Sequence, residues 1–167
     1  MKVLSLDLSL NGSGMSVLEV KGNKVKILET KLVDNKKIKC FGEKLALIEK
    51  ALIDLILKYE PDVICREKGF TRFAGTTQKL FKVVGVSDLV AYHSGHTYDI
   101  PEYSPTTVKK HLACSGKAEK SDVEKAVREF LIEDQKGLVF ESNDISDAVA
   151  VGITHLVSTG TVLERGY

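Results

Sequence analysis

Met1-Lys2-Val3-Leu4-Ser5-Leu6-Asp7, then Asn11-Gly12-Ser13-Gly14, then Met15-Ser16-Val17-Leu18-Glu19-Val20: this is the stretch on which the fold turns. The first run is short and apolar and stops at an acid, the signature of a buried strand that ends at a polar site. Asn11-Gly12-Ser13-Gly14 reads as a turn, because glycine and asparagine tolerate the backbone angles that turns demand. Residues 15–20 form a second strand, and Gly22-Asn23 turns it into a third at 25–30. Three strands joined this way make an antiparallel meander.

Outward from the meander, Phe41, Leu45, Ile48, Leu52 and Leu55 recur at helical spacing and predict a helix over Phe41–Tyr59. Pro61 ends it. Val63-Ile64-Cys65 is a short buried strand running to Glu67. A helix with Gly85 inside it follows at 76–94, then a fifth strand at 98–100. Short helices at 106–112 and 121–131 precede a closing apolar helix, Asn143–Ser158. This order predicts an α/β fold, a mixed five-stranded sheet flanked by helices on both sides. It also sets Asp7 and Glu67 at strand ends, where ligands of such sheets gather.

A chain of 167 residues suits one hydrophobic core, so residues 1–167 are read as a single domain. No apolar run is long enough to span a bilayer, and the start of the chain lacks a signal-peptide pattern, which predicts a cytoplasmic protein. Three cysteines without metal-ligand spacing argue against a disulfide framework, and Cys65 reads as a small buried hydrophobe.

Net charge is only +1, but the charge is segregated. Residues 66–82 hold five basic side chains against Glu67, and 105–120 hold four lysines against Glu119. Residues 121–147 hold eight acids against three basic side chains. Such a chain can set a basic face beside an acidic site.

Asp144 and Asp147, three apart at a helix start, share a face. Alone they also fit acids that merely stabilise a helix N-terminus capped by Ser142 or Asn143. Converging with Asp7 and Glu67 they would repel one another, and divalent cations relieve that repulsion. Mg²⁺ prefers oxygen ligands and shares its shell with phosphate oxygens. Acids that hold metal beside a basic surface suit a phosphodiester substrate.

These segments together resemble the RuvC family of Holliday junction resolvases, of the ribonuclease H-like superfamily. The similarity runs over nearly the whole chain. Leu6-Asp7-Leu8-Ser9-Leu10-Asn11-Gly12-Ser13-Gly14 is similar to the family's first strand and turn. Arg66-Glu67-Lys68-Gly69-Phe70 is similar to its catalytic Glu and the aromatic wedge three positions on. Ser115-Gly116-Lys117-Ala118-Glu119-Lys120-Ser121 is similar to its Gly-x-Ala-x-Lys segment, with Lys109 eleven residues before Lys120. Asp144-Ile145-Ser146-Asp147-Ala148 through His155 is similar to its last acidic helix.

The resemblance implies a magnesium-dependent crossover junction endodeoxyribonuclease that cuts Holliday junctions and other branched DNA by two-metal-ion hydrolysis, leaving 5′-phosphate and 3′-hydroxyl ends. Asp7, Glu67, Asp144 and Asp147 are then the catalytic acids and the ligands of two Mg²⁺ ions, with Mn²⁺ as a substitute. Lys120 assists at the catalytic centre, and Phe70, Arg72, Lys109, Lys117 and Lys120 contact DNA. Phe70 as core, and Lys120 as a solvated helix start, are the competing readings. His155, well along its helix from the acids, reads as a hydrogen-bonded structural residue.

Two departures stand out. Asp7-Leu8-Ser9 replaces the family's usual Asp-Pro-Gly, and an Arg common in that loop is absent. These point to a diverged, phage-encoded member, and put in doubt both partnership with a branch-migration motor and a strict sequence preference at the cut. A ribonuclease H on RNA–DNA hybrids shares the acids but leaves Phe70 and the Lys120 segment without a role. A non-catalytic branched-DNA module would not need all four acids, and a phosphotransferase of the actin or hexokinase type would need a second domain. Paired cuts on opposing strands imply a homodimer. Its expected interface is helix 76–94, through Leu80, Val83, Val84 and Leu89, with Gly85 allowing close approach.

Overall fold

In the computed structural model, which describes residues 1–69 and 74–163, strand β1 (Lys2–Asp7) is the sheet's centre. Val3, Leu4, Ser5 and Leu6 are all fully buried, because helices cover both faces of a central strand. It pairs antiparallel with β2 (Gly12–Lys21), which pairs antiparallel with β3 (Lys24–Asp34). After helix α1 (Phe41–Tyr59), β4 (Val63–Glu67) returns parallel to the other side of β1. Helix α2 (Ala74–His93) leads to β5 (Glu102–Tyr103), parallel to β4. The strand order is β3-β2-β1-β4-β5, followed by α3 (Pro105–Ala113), α4 (Lys120–Phe130) and α5 (Asn143–Ser158).

Side-chain alternation along the strands sorts two cores. Leu4, Leu6, Met15, Val17 and Ile64 face α1 and α2. Val3, Leu18 and Cys65 face α5, with α3 and α4 behind it. Asp7 and Glu67 share the parity of Val3 and Cys65, so both point toward α5.

Helix α5 is buried at nearly every position from Ile145 to Val157, as a helix with neighbours all round must be. It lies unusually near the sheet. A Cβ on Gly152 would stand 2.5 Å from Leu18 Cδ1 and 2.6 Å from Ser5 Oγ. Ser5 and Ser16, whose hydroxyls are 2.7 Å apart, floor this contact.

Several expectations need correction. The first turn is not at 11–14: Gly12 already pairs with Asp34 and Gly14 with Asp7. The chain reverses over 8–11, where Ser9 Oγ donates to Gly12 O and Ser13 Oγ donates to Ser9 O, each at 2.7 Å. The third strand continues past 30 to Asp34. The fifth strand is not at 98–100 but at Glu102–Tyr103. Tyr98 meets β4 through its side chain, its hydroxyl accepting the Ile64 N–H at 3.0 Å, while backbone pairing begins where Arg66 N donates to Pro101 O. Helix α1 ends as expected before Pro61, with Glu60 left-handed and its N–H on Ile56 O.

Candidate active site

The parallel register that sets Leu6 beside Arg66 brings Asp7 and Glu67 to neighbouring strand ends. Gly14 lies across from Asp7 on the other side. Upon Gly14 sits the first turn of α5: a Cβ there would be 2.0 Å from the Asp144 carbonyl oxygen. Gly12 likewise faces the Asp144 carboxylate, at 3.1 Å from a built Cβ. Ser142 caps α5, its side chain accepting the Ile145 N–H at 3.2 Å, so Asp144 in the first turn and Asp147 just after it are presented toward Asp7 and Glu67.

Burial pushes the Asp7 carboxyl up to about 8, with the charges of Glu67, Asp147 and Asp144 adding to it. Glu67 is pushed up to about 7, again by burial first and then by Asp147. Lys120 is the cation that opposes both shifts. Its ammonium pairs with Asp147 Oδ2 at 2.8 Å, and that bond holds the Lys120 pKa above its ordinary value. Lys120 opens α4, whose N-cap Glu119 and Asp122 form a reciprocal capping box. The helix starts one residue earlier than the expected 121, and Lys120, the first residue of α4, reaches α5 rather than standing as a solvated helix start, the competing reading.

Among the described residues no three His, Cys, Asp or Glu side chains are gathered closely enough to enclose an ion as they stand. The donor set nonetheless fits a hard divalent cation: four acids, two of them pushed up by burial and then by their neighbours' charge, with a lysine on one of the others. Deprotonation and metal binding are linked.

Beside the acids is a cleft of about 490 Å³ whose wall includes Asp7, Ser9, Asn11, Lys44, Glu67 and Lys79. Lys44 and Lys79 were not picked out from the sequence. Lys44 lies on the buried stripe of α1 with Ile48, Leu52 and Leu55, and a lysine on an otherwise apolar helical stripe was the available signal. Lys109 on α3 is half-buried and Lys117 exposed. Phe70 and Arg72 lie outside the described residues. His155 is structural as expected, its Nδ1 2.9 Å from the Tyr103 hydroxyl. Cys65 is buried.

The five-stranded sheet in this order, with acids at the ends of β1 and β4 and at the start of the last helix, defines a ribonuclease H-like nuclease. Residues 3–155 match the family model for crossover junction endodeoxyribonuclease RuvC, and the chain belongs to the RuvC family. It is 31% identical over 156 residues to the RuvC endonuclease of Paracoccus denitrificans, covering 93% of this chain and 91% of that protein. The Caldanaerobacter subterraneus enzyme is also 31% identical, over 170 residues, covering 100% of this chain and 99% of its own. The T. thermophilus RuvC in complex with a Holliday junction substrate superposes with a TM-score of 0.85 at 25% identity, covering 99% of each chain. Fowlpox virus resolvase shares the fold, with a TM-score of 0.59 at 17% identity, covering 93% of this chain and 99% of its own.

Proposed function

We propose that this chain, as one nuclease domain over 1–167, resolves four-way DNA junctions by hydrolysing phosphodiesters at Asp7, Glu67, Asp144 and Asp147. The observation that carries the reading is the convergence of the four acids: Asp7 and Glu67 end neighbouring parallel strands, and the start of α5 packs Asp144 against Gly12 and Gly14 beside them. Two Mg²⁺ ions, with Mn²⁺ as substitute, held by these four side chains, would supply the charge that activates a water and stabilises the leaving oxygen. The chain's own part begins with giving up the protons of Asp7 and Glu67. Lys120 then keeps Asp147 aligned and stands ready for phosphate charge. Lys109, Lys117 and Lys120 contact the DNA backbone; Phe70 and Arg72 join them on sequence grounds, Phe70 as a wedge at the branch point.

A second copy supplies the second cut. Among the residues named for that interface, Val83 turns into the core. Leu89, also named for it, is exposed, and the solvent face of α2 adds Phe81 and Tyr92, at 61%, 60% and 64% exposure for Phe81, Leu89 and Tyr92. These, with Gly85 between them, form the apolar stripe proposed for the homodimer. Among the described residues no helix is long and apolar enough to cross a membrane, in keeping with a cytoplasmic nuclease.

Labelled junction, fork, duplex and RNA–DNA hybrid, each incubated with and without Mg²⁺, test the reading. The expected result is Mg²⁺-dependent paired cutting of the junction, lost in Asp7→Asn and Glu67→Gln while junction binding survives, since phosphate contacts lie elsewhere. Preferential cutting of the hybrid would favour a ribonuclease H instead.

A further inference from the structure

Lys44 stands out as a charged side chain at a position the helix buries. It is 9% exposed, on the same face of α1 as Ile48, Leu52 and Leu55. An ammonium carries three donors, and a buried charge is costly unless paired and hydrogen-bonded. Lys44 Nζ donates to Asn11 Oδ1 at 2.6 Å, a neutral acceptor, and no carboxylate partner for it exists among the described residues. The charge is therefore left without a counter-charge. It is also held in place. The Lys44 carbonyl accepts from Asn35 Nδ2 at 3.1 Å, and Asn35 N donates to Asn11 O at 2.9 Å. The loop after β1, the segment after β3 and the start of α1 thus brace one another around it. Lys44, Asn11, Asp7 and Glu67 line one cleft.

We infer that Lys44 binds a phosphodiester of the strand being cut, next to the scissile one, inside the catalytic cleft. A nucleic-acid strand carries one anion per nucleotide, so a phosphate at the acid cluster brings its neighbours along the same wall. The Lys44 ammonium has a neutral amide as its partner and no anion; a single strand lying in the cleft supplies one. A lysine present only to hold Asn11 would need one donor and no charge. Because the inference rests on the nuclease reading, its test reads binding rather than cutting.

Full-length protein is titrated with four-way junctions in the absence of divalent cations, each junction carrying one uncharged methylphosphonate at a single position around the cut. Wild type should bind about tenfold more weakly when one particular phosphate beside the cut is neutralised, as for a lost charge-assisted hydrogen bond. Lys44→Met should bind the all-phosphate junction about tenfold more weakly and lose nothing further at that position. Its dependence of log affinity on log salt should be shallower by about one. Lys44→Arg should keep the position-specific loss. Lys44→Gln, which retains a donor for Asn11 without the charge, carries the same comparison if Lys44→Met does not fold. Methylphosphonate losses in Lys44→Gln equal to wild type at every position, with an unchanged salt slope, would overturn the inference and leave Lys44 a brace. Wild type that shows the position-specific loss but cuts nothing in Mg²⁺ would keep the Lys44 contact and refute the nuclease reading alone.

Discussion

Gly14→Ala should separate the two halves of the acid site by one methyl group. The added Cβ would stand 2.0 Å from the Asp144 carbonyl oxygen and 2.3 Å from its carbon. A carbon and a carbonyl oxygen rest at about 3.4 Å, so roughly 1.4 Å of separation must be found. Neither partner is the flexible end of a side chain. Gly14 is fixed in the ladder between Asp7 and Leu32, and Asp144 belongs to a helix turn capped by Ser142. The retreat therefore falls on the start of α5, carrying Asp144 and Asp147 away from Asp7 and Glu67. Misplacement of about 1 Å costs on the order of a hundredfold in rate, whereas overpacking costs about 1–3 kcal/mol of stability. Single-turnover cleavage of a labelled junction, beside a denaturant titration, separates the two. The expected outcome is a folded protein, modestly less stable, that binds junctions normally and cleaves them about a hundredfold more slowly. Cleavage within about threefold of wild type, with loss of stability alone, would refute the claim that Gly14 sets the spacing of the acids.

Other perturbations give independent readings. Without divalent cations, folded Asp7 keeps its proton up to about pH 8, whereas an ordinary aspartate loses it near 3.8. The folded state then binds the extra proton between those values, so stability should fall as pH rises through this window, by at most ~1.4 kcal/mol per pH unit from this group. Asp7→Asn should flatten the fall in thermal-melting series taken between pH 5 and 8; an unchanged slope would mean the carboxyl titrates normally. Lys120→Ala removes the cation that opposes the shifts of Asp7 and Glu67, so the acidic limb of the cleavage pH profile should move to higher pH, and a profile lowered at all pH values without displacement would assign Lys120 to DNA contact only. Leu89→Asp, on the exposed face of α2, should yield monomers in sedimentation that no longer make paired cuts; a dimer of unchanged affinity would place the interface elsewhere.

Asp7 and Glu67 were legible in the sequence because each ends a short apolar strand, and strand ends are where such sheets hold their sites. Asp144 and Asp147 were legible as a pair through their capped helix start. What brings the two pairs together was not. Gly14 and Gly152 read as turn or small helix residues, and only the folded chain shows them receiving the backbone of α5 and the floor of the sheet. The fifth strand was misplaced because Tyr98 and Ile100 look like strand residues, while Tyr98 satisfies the Ile64 N–H with a phenol rather than a carbonyl. Lys44 was passed over because Phe41 and Leu45 define the same helix without it.

Strand β4 has a further consequence in its last two residues. Arg66 turns into the α2 layer, where Glu102 Oε1 accepts from its Nε and Ser87 Oγ from its Nη1, at 2.8 and 2.9 Å, and Asp88 completes the pairing. Glu67, one step on, turns the other way into the acid site. A one-residue slip of β4 against β1 would exchange them, because side-chain alternation has a period of two. A guanidinium would then be set among Asp7, Asp144 and Asp147, and a carboxylate against Asp88 and Glu102. The strand that delivers Glu67 to the acid cluster thus carries its own proofreading: a misregistered sheet is penalised by like charges on one face and loses the cluster on the other, so few copies should fold almost correctly and remain inert.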